Sequence, residues 1–189
     1  MTTTLTTPGL TGTQWITRLE KGNYNISSYA KQLLLSPDFI SSKTTCEIVI
    51  VKCSDVGKEY PTTKEIRAYA KAQGYLTPSP ELACIIRETI SDEEIKEMGL
   101  WYIVAMHEPI KNSVGDPSLL DSYRADDGRW LSANYGRPDD MWSDCGGFAF
   151  VVPQVGTLKS DTQTSSDPMS LDLETKTFTH YPLQDTINL

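Results

Sequence analysis

The chain reads as one α+β domain, a helical N-terminal half packed on a mixed or antiparallel sheet. Three observations predict it. Helix-capping signals cluster before residue 100. Two apolar, β-branched runs, CEIVIVKC at 46–53 and LWYIVAMH at 100–107, read as strands. Beyond residue 107, Gly and Pro cut the chain into short apolar pieces. Helices followed by short strands favour α+β over a doubly wound parallel sheet.

The elements follow in order. The first dozen residues, MTTTLTTPGLTG, are Thr-rich and are expected to be loosely held. SYAKQLLL at 28–35 predicts a helix closed by Ser36-Pro37. Strand 46–53 is apolar nearly throughout, as a strand buried on both faces must be. Thr62 and Glu65 have capping-box spacing before a helix that stops at Gly74. Ser79-Pro80 places a cap before a helix-initiating proline and ELACIIRETI. Ser91 and Glu94 repeat the box for a short helix ending at Gly99. After strand 100–107, Phe148, Phe150 and Val152 alternate on one face of a last strand, 147–153. Residues 1–153 thus form the domain. Residues 154–189 read as a polar linker and a marginal tail, LDLETKTFTHY, that forms a hairpin or orders on a partner.

Composition excludes several function classes. The 189 residues suffice for one core, and the net charge is −8. The charge is uneven: 11 basic against 12 acidic side chains in 1–100, 4 against 8 in 101–153, and 2 against 5 in 154–189. Such a balance has no basic patch for gripping phosphate backbones. No apolar stretch approaches a membrane span, and the first residues lack a basic, apolar leader, so a cytoplasmic protein is expected. Its cysteines, Cys46, Cys53, Cys84 and Cys145, are then reduced thiols, the first three as small buried groups.

No phosphate cradle, nucleophile elbow, zincin helix or paired C-x-x-C is present, and no cofactor is expected. His107 at a strand end, with Glu108 and Asp116 near in sequence, is the one candidate for a general base. Without a recognisable nucleophile, it reads more economically as a histidine that caps its strand. Zinc is set aside because Cys46 and Cys53 lie seven apart, which puts them on opposite faces of a strand. The aspartates between 116 and 144 lack calcium-loop spacing and read as turn formers, so no metal is expected.

Residues 121–147, DSYRADDGRWLSANYGRPDDMWSDCGG, stand out as a loop-rich surface. Of these 27 residues, 19 are Asp, Gly, Ser, Ala, Tyr, Asn or Cys, which is also what turns are made of. Trp130 and Trp142 are expected to support a surface from beneath. Ser132, Asn134, Tyr135, Asp139, Asp140, Ser143 and Asp144 would face a ligand, with Arg129 and Arg137 fixing the loops.

MGLWYIVAMHEPIKNSVGDPSLL, DDGRWLSANYGRPDDMW and GGFAFVVPQ resemble an uncharacterised family of bacterial hypothetical proteins, over Lys43 to Gln154. That resemblance implies no activity. Trp142-x-Asp144-Cys145 followed by residues 147–152 is similar to the end of a C-type-lectin-like domain. It departs from the sugar-binding form, with Ser143 where an Asn calcium ligand is usual and Cys145 early. The composition of 121–147 also resembles the variable proteins of diversity-generating retroelements, which use that fold for binding. The leading expectation is a non-enzymatic protein that binds a protein or other macromolecule through 121–147. The alternatives are a small enzyme using His107, Glu108 and Asp116, and an assembly subunit docking through its tail.

Overall fold

The computed structural model describes residues 2–154. The strands are β1 (Thr2–Pro8), β2 (Asn25–Ile26), β3 (Lys43–Lys52), β4 (Tyr102–Ala105), β5 (Ile110–Lys111), β6 (Pro117–Ala125), β7 (Gly128–Tyr135) and β8 (Gly146–Val151). The helices are α1 (Gly12–Lys21), α2 (Ser28–Leu34), α3 (Cys53–Val56), α4 (Thr63–Ala72), α5 (Glu81–Thr89) and α6 (Asp92–Glu97). The strands form one mixed sheet, curled into a half barrel, in the order β1-β3-β8-β4-β6-β7-β2, with β5 on β6. β8 and β4 run parallel, as do β2 and β7; the other pairs are antiparallel. The α+β class holds. The first half is not purely helical, however, because β1, β2 and β3 interleave with the helices and take places in the sheet.

Both faces of the sheet are covered. Alternation sends Ile48, Ile50, Ile103, Ala105, Leu120, Leu131 and Ala149 to the first face. There they meet Trp15 and Leu19 of α1, Leu33 of α2, Leu82 and Ile86 of α5, and Ile95 of α6. Val49, Val51, Val104, Leu119, Phe148 and Phe150 point to the second face, under Ile66 and Ala70 of α4 and under Trp142. β3 is apolar on both sides because it lies between β1 and β8 with cover above and below. Gly147 sits in the middle of this packing: a Cβ there would come within 2.6 Å of Leu100 Cδ1 and 2.9 Å of Ile50 Cγ2.

The two capping boxes read from sequence form as expected, whereas the Ser79 cap does not: Pro80 takes the N-cap position of α5 and no side chain caps that helix. Thr62 and Ser91 accept from the amides of Glu65 and Glu94, whose carboxylates return the bond to Thr62 N and Ser91 N. An unforeseen box, Thr11 with Gln14, starts α1.

The strands differ more. The N-terminal threonines are not loose. They pair with β3 from Thr2 opposite Val49 to Pro8 opposite Lys43, with Leu5 and Thr7 buried and Thr7 Oγ1 donating to Ser42 O at 2.6 Å. β-branched threonine suits an edge strand whose neighbour supplies the apolar face. The strand expected at 46–53 ends at Lys52, and Cys53 opens α3. Strand 100–107 contracts to Tyr102–Ala105. Residues 121–135, expected as loop, belong largely to the β6–β7 hairpin. Polar residues tolerate burial there because they are paired: Ser122 Oγ donates to Ala83 O, and Asp121 accepts from Asn134. The linker and tail expected after 154 lie outside the described residues.

A buried carboxylate joins the N-terminal stretches. Glu81, at the start of α5, has no exposed surface. Its Oε1 accepts from Leu10 N at 2.7 Å and Trp15 Nε1 at 2.9 Å, and its Oε2 from Ser42 N at 3.1 Å. A buried anion with three donors is satisfied; removing it orphans all three. Replacing Glu81 with Ala is therefore expected to cost about 3 kcal/mol or more in urea denaturation. A loss below about 1 kcal/mol, the scale of one exposed hydrogen bond, would show that the hub is not needed.

Candidate functional site

The second face is closed by the segment between β7 and β8, and α4 holds that segment in place. The first amides of a helix have no internal partner. In α4 the Thr62–Glu65 box satisfies one of them, while Thr63 N and Lys64 N donate to Asp140 O (3.0 Å) and Pro138 O (2.9 Å) of the segment. Trp142 N in turn donates to Pro61 O at 3.0 Å, and Trp142 Nε1 to Thr63 Oγ1 at 2.8 Å. The buried indole packs edge-on against Phe148 with centroids 5.6 Å apart, and lies 6.2 Å from Tyr102. Trp142 is thus buried beneath the segment. Trp130 is not: it is half-buried near the hairpin turn and donates to Asp127 Oδ1.

Between this segment and the sheet lies a cleft of about 440 Å³, lined by Tyr102, Asn134, Tyr135, Asp140, Met141, Trp142 and Ser143. Asn134, Tyr135, Asp140 and Ser143 of the expected site residues come together here. Tyr135 is 48% and Met141 74% exposed at its rim. The hydroxyls of Tyr102 and Ser143 lie 3.0 Å apart, and Ser143 Oγ lies 3.1 Å from Cys145 Sγ. Gly146 makes room for this phenol, since a Cβ there would come within 2.7 Å of the Tyr102 oxygen. Asp140 Oδ2 accepts from Arg137 N at 2.9 Å.

The other expected residues lie elsewhere. Arg129 stacks on Tyr24, 4.1 Å from its centroid. Ser132 Oγ meets Ser27 Oγ at 3.5 Å. Arg137 pairs with Asp116 and lies 5.0 Å from the Tyr135 ring centroid. Asp139 is exposed. Asp144 borders a separate cleft of about 480 Å³ with Lys52, Lys58 and Glu59. The expected surface is therefore divided, and four of its residues meet in one cleft.

Asp121 was missed as a member of the site because a lone carboxylate between Leu120 and Ser122 carries no motif. It lies on β6, 1% exposed, with Oδ2 accepting from Asn134 Nδ2 at 2.9 Å and Oδ1 without a partner. Burial pushes its carboxyl up to about 7, against a smaller lowering by the Asn134 bond. Tyr102 was likewise hidden inside an apolar run.

His107 is fully buried. Leu120 N donates to its Nε2 at 3.0 Å, so Nδ1 carries the proton and donates to Glu108 O at 2.7 Å. Burial depresses its pKa to about 4, and both nitrogens are engaged by backbone. Glu108 is exposed, and Asp116 is paired with Arg137, so the three do not assemble. Cys53 donates to Ser143 O at 3.3 Å, and burial pushes its thiol up to about 11. All four cysteines are free, with Cys46 half-buried rather than buried. Among the described residues, no group of three or more His, Cys, Asp or Glu is placed to hold a metal ion. No described helix is long and apolar enough to cross a membrane.

No family model, curated protein or solved structure matches the chain. Its function must be argued from the site itself.

The raised carboxyl sets a pH test. Between the ordinary Asp value near 3.8 and about 7, folded Asp121 keeps its proton while the unfolded chain has lost it. The stability so gained is complete at low pH and disappears as pH rises through about 7. Asparagine has no such loss. The melting temperature of Asp121→Asn minus that of the wild type is expected to grow by several degrees from pH 4.5 to 8. A difference that stays flat over this range would place the carboxyl at an ordinary pKa.

Proposed function

We propose that this is a non-enzymatic binding protein whose contact surface is the cleft between the β7–β8 segment and the sheet. One observation carries the reading: exposed Tyr135 and Met141 stand beside polar Asn134, Asp140 and Ser143, over a buried, hydrogen-bonded Trp142. Exposed aromatic and Met side chains supply contact area. Small polar groups supply direction, and a fixed floor spares the cost of ordering the site on binding. The engagement of both His107 nitrogens by backbone supports binding over general-base catalysis.

The partner in this reading is a protein or other macromolecule, met at a concave centre with a polar rim. A finer proposal is that the C-terminal part is C-type-lectin-like, of the kind diversified by retroelements. Its support is the burial of Trp142 against β8 and the exposure of Asn134, Asp139 and Asp144. A near-identical template repeat and a reverse-transcriptase gene beside this gene are its expected signature, and the absence of both removes it.

The binding reading has its own test. Immobilised protein is expected to retain a partner from lysate of the source cells, and a Tyr135→Ala, Met141→Ala double variant to lose it. Both side chains are largely exposed, so the variant is expected to melt within about 2 °C of the wild type. Retention unaffected by the double substitution would move the contact surface away from this cleft.

A further inference from the structure

The cleft offers hydrogen-bond acceptors, and a buried carboxylate behind its wall fixes this. An ionised carboxylate only accepts, so the bond between Asp121 Oδ2 and Asn134 requires the amide nitrogen of Asn134 to face inward. The Asn134 carbonyl oxygen is then on the opposite branch of the amide, and Asn134 lines the cleft. Asp140 is the one charged residue among the lining residues, and no Lys or Arg joins it. Three aromatic side chains, Tyr102, Tyr135 and Trp142, complete the walls. Carboxylate and amide oxygens beside aromatic faces are the surroundings a desolvated cation needs. The wider field agrees, since residues 101–153 carry 8 acidic and 4 basic side chains in a chain of net charge −8.

We infer that the cleft receives an arginine or lysine side chain of a basic polypeptide partner, and that Asp121 is the positioning residue that presents the Asn134 carbonyl oxygen to it. This rests on the binding reading above and deepens it. Arg137 comes to the outer side of one wall, 5.0 Å from the Tyr135 ring centroid, but its guanidinium pairs with Asp116 and it is not among the lining residues.

The arrangement is pH-sensitive. Facing Asp121 are Val104 on β4 and Ser132 and Asn134 on β7. The titratable groups one alternate position away are Tyr102 and Tyr123, and no charged side chain shares these positions. The His107 ring, next along, is held by Leu120 N and Glu108 O. Burial holds the Asp121 carboxyl near 7. Once protonated it donates, the Asn134 amide turns to accept, and its nitrogen faces the cleft. A donor then meets the incoming cation.

The experiment is a nuclear magnetic resonance titration of the full chain with N-acetyl-arginine methylamide. The neutral citrulline and anionic glutamate counterparts serve as controls. The reporters are the Trp142 indole N–H and the Asn134 side-chain amide. At pH 8 the arginine compound is expected to shift both saturably, with citrulline about tenfold weaker and glutamate without effect. Lowering the pH to 5.5 is expected to weaken arginine binding about tenfold in the wild type and to leave Asp121→Asn unchanged. Asp140→Asn, a change at the partly exposed rim, is expected to weaken it severalfold without altering the fold. Citrulline or glutamate binding as well as arginine would overturn the charge selection and leave the binding reading standing. Silence from all three compounds, with partner retention still lost in the Tyr135, Met141 double variant, would do the same. Retention that survives that variant defeats the binding reading itself.

Discussion

The carboxylate of Glu81 is the contact on which the first face of the sheet depends. Leu10 precedes α1, Trp15 lies within it, Ser42 precedes β3, and Glu81 begins α5; one side chain hydrogen-bonds to donors on all three of the others. These stretches are far apart in sequence, and each brings an amide or indole donor, the Trp15 indole a fully buried one. Its position in the first turn of α5 adds a favourable interaction with the helix dipole. Once α1 and α5 are fixed, Trp15, Leu82 and Ile86 cover the first face, and β3 can lie inside the sheet with β1 as its edge.

Arg87 extends the same design nearly two helical turns on, along an element otherwise dense with apolar groups. Its guanidinium is fully buried, ion-paired with Asp92 and donating to Tyr123 O and Ile90 O, which ties α5 to α6 and to the far end of β6. Both ends of α5 are therefore fastened by charged groups whose partners are nearly complete. Buried charges of this kind contribute little to net stability, but they penalise every arrangement in which their partners are missing. Glu81 fastens α5 to α1 and to the start of β3, and Arg87 fastens it to α6 and to the end of β6 at Tyr123.

The second face is organised by a smaller constraint, the unpaired amides at the start of α4. Carbonyls of Pro138 and Asp140 meet them, and this brings Trp142 against Tyr102 and Phe148. The resulting cleft has a stiff floor because Trp142 donates from its backbone to Pro61 O and from its indole to Thr63 Oγ1, while Tyr135 and Met141 at the rim stay exposed. Function and fold thus use different atoms of the same short segment.

The sequence alone determined what depends on neighbours within a few positions. The capping boxes at Thr62 and Ser91, the helix from Ser28, and the alternation of Phe148 and Phe150 were all legible, because their partners lie within one turn or one pleat. The polar, aromatic mixture of 121–147 was also legible, and it contains most of the cleft. Tertiary structure alone decided which of those residues meet. Asp121 and Ser122 read as loop because burial of a polar strand residue is set by its partners, here Asn134 and Ala83, on other strands and helices. The Thr-rich start read as loose because an edge strand takes its order from β3, some forty residues away. Arg129 turned to Tyr24 and Asp144 to another cleft for the same reason: a side chain's face follows from strand register, which is a property of the assembled sheet.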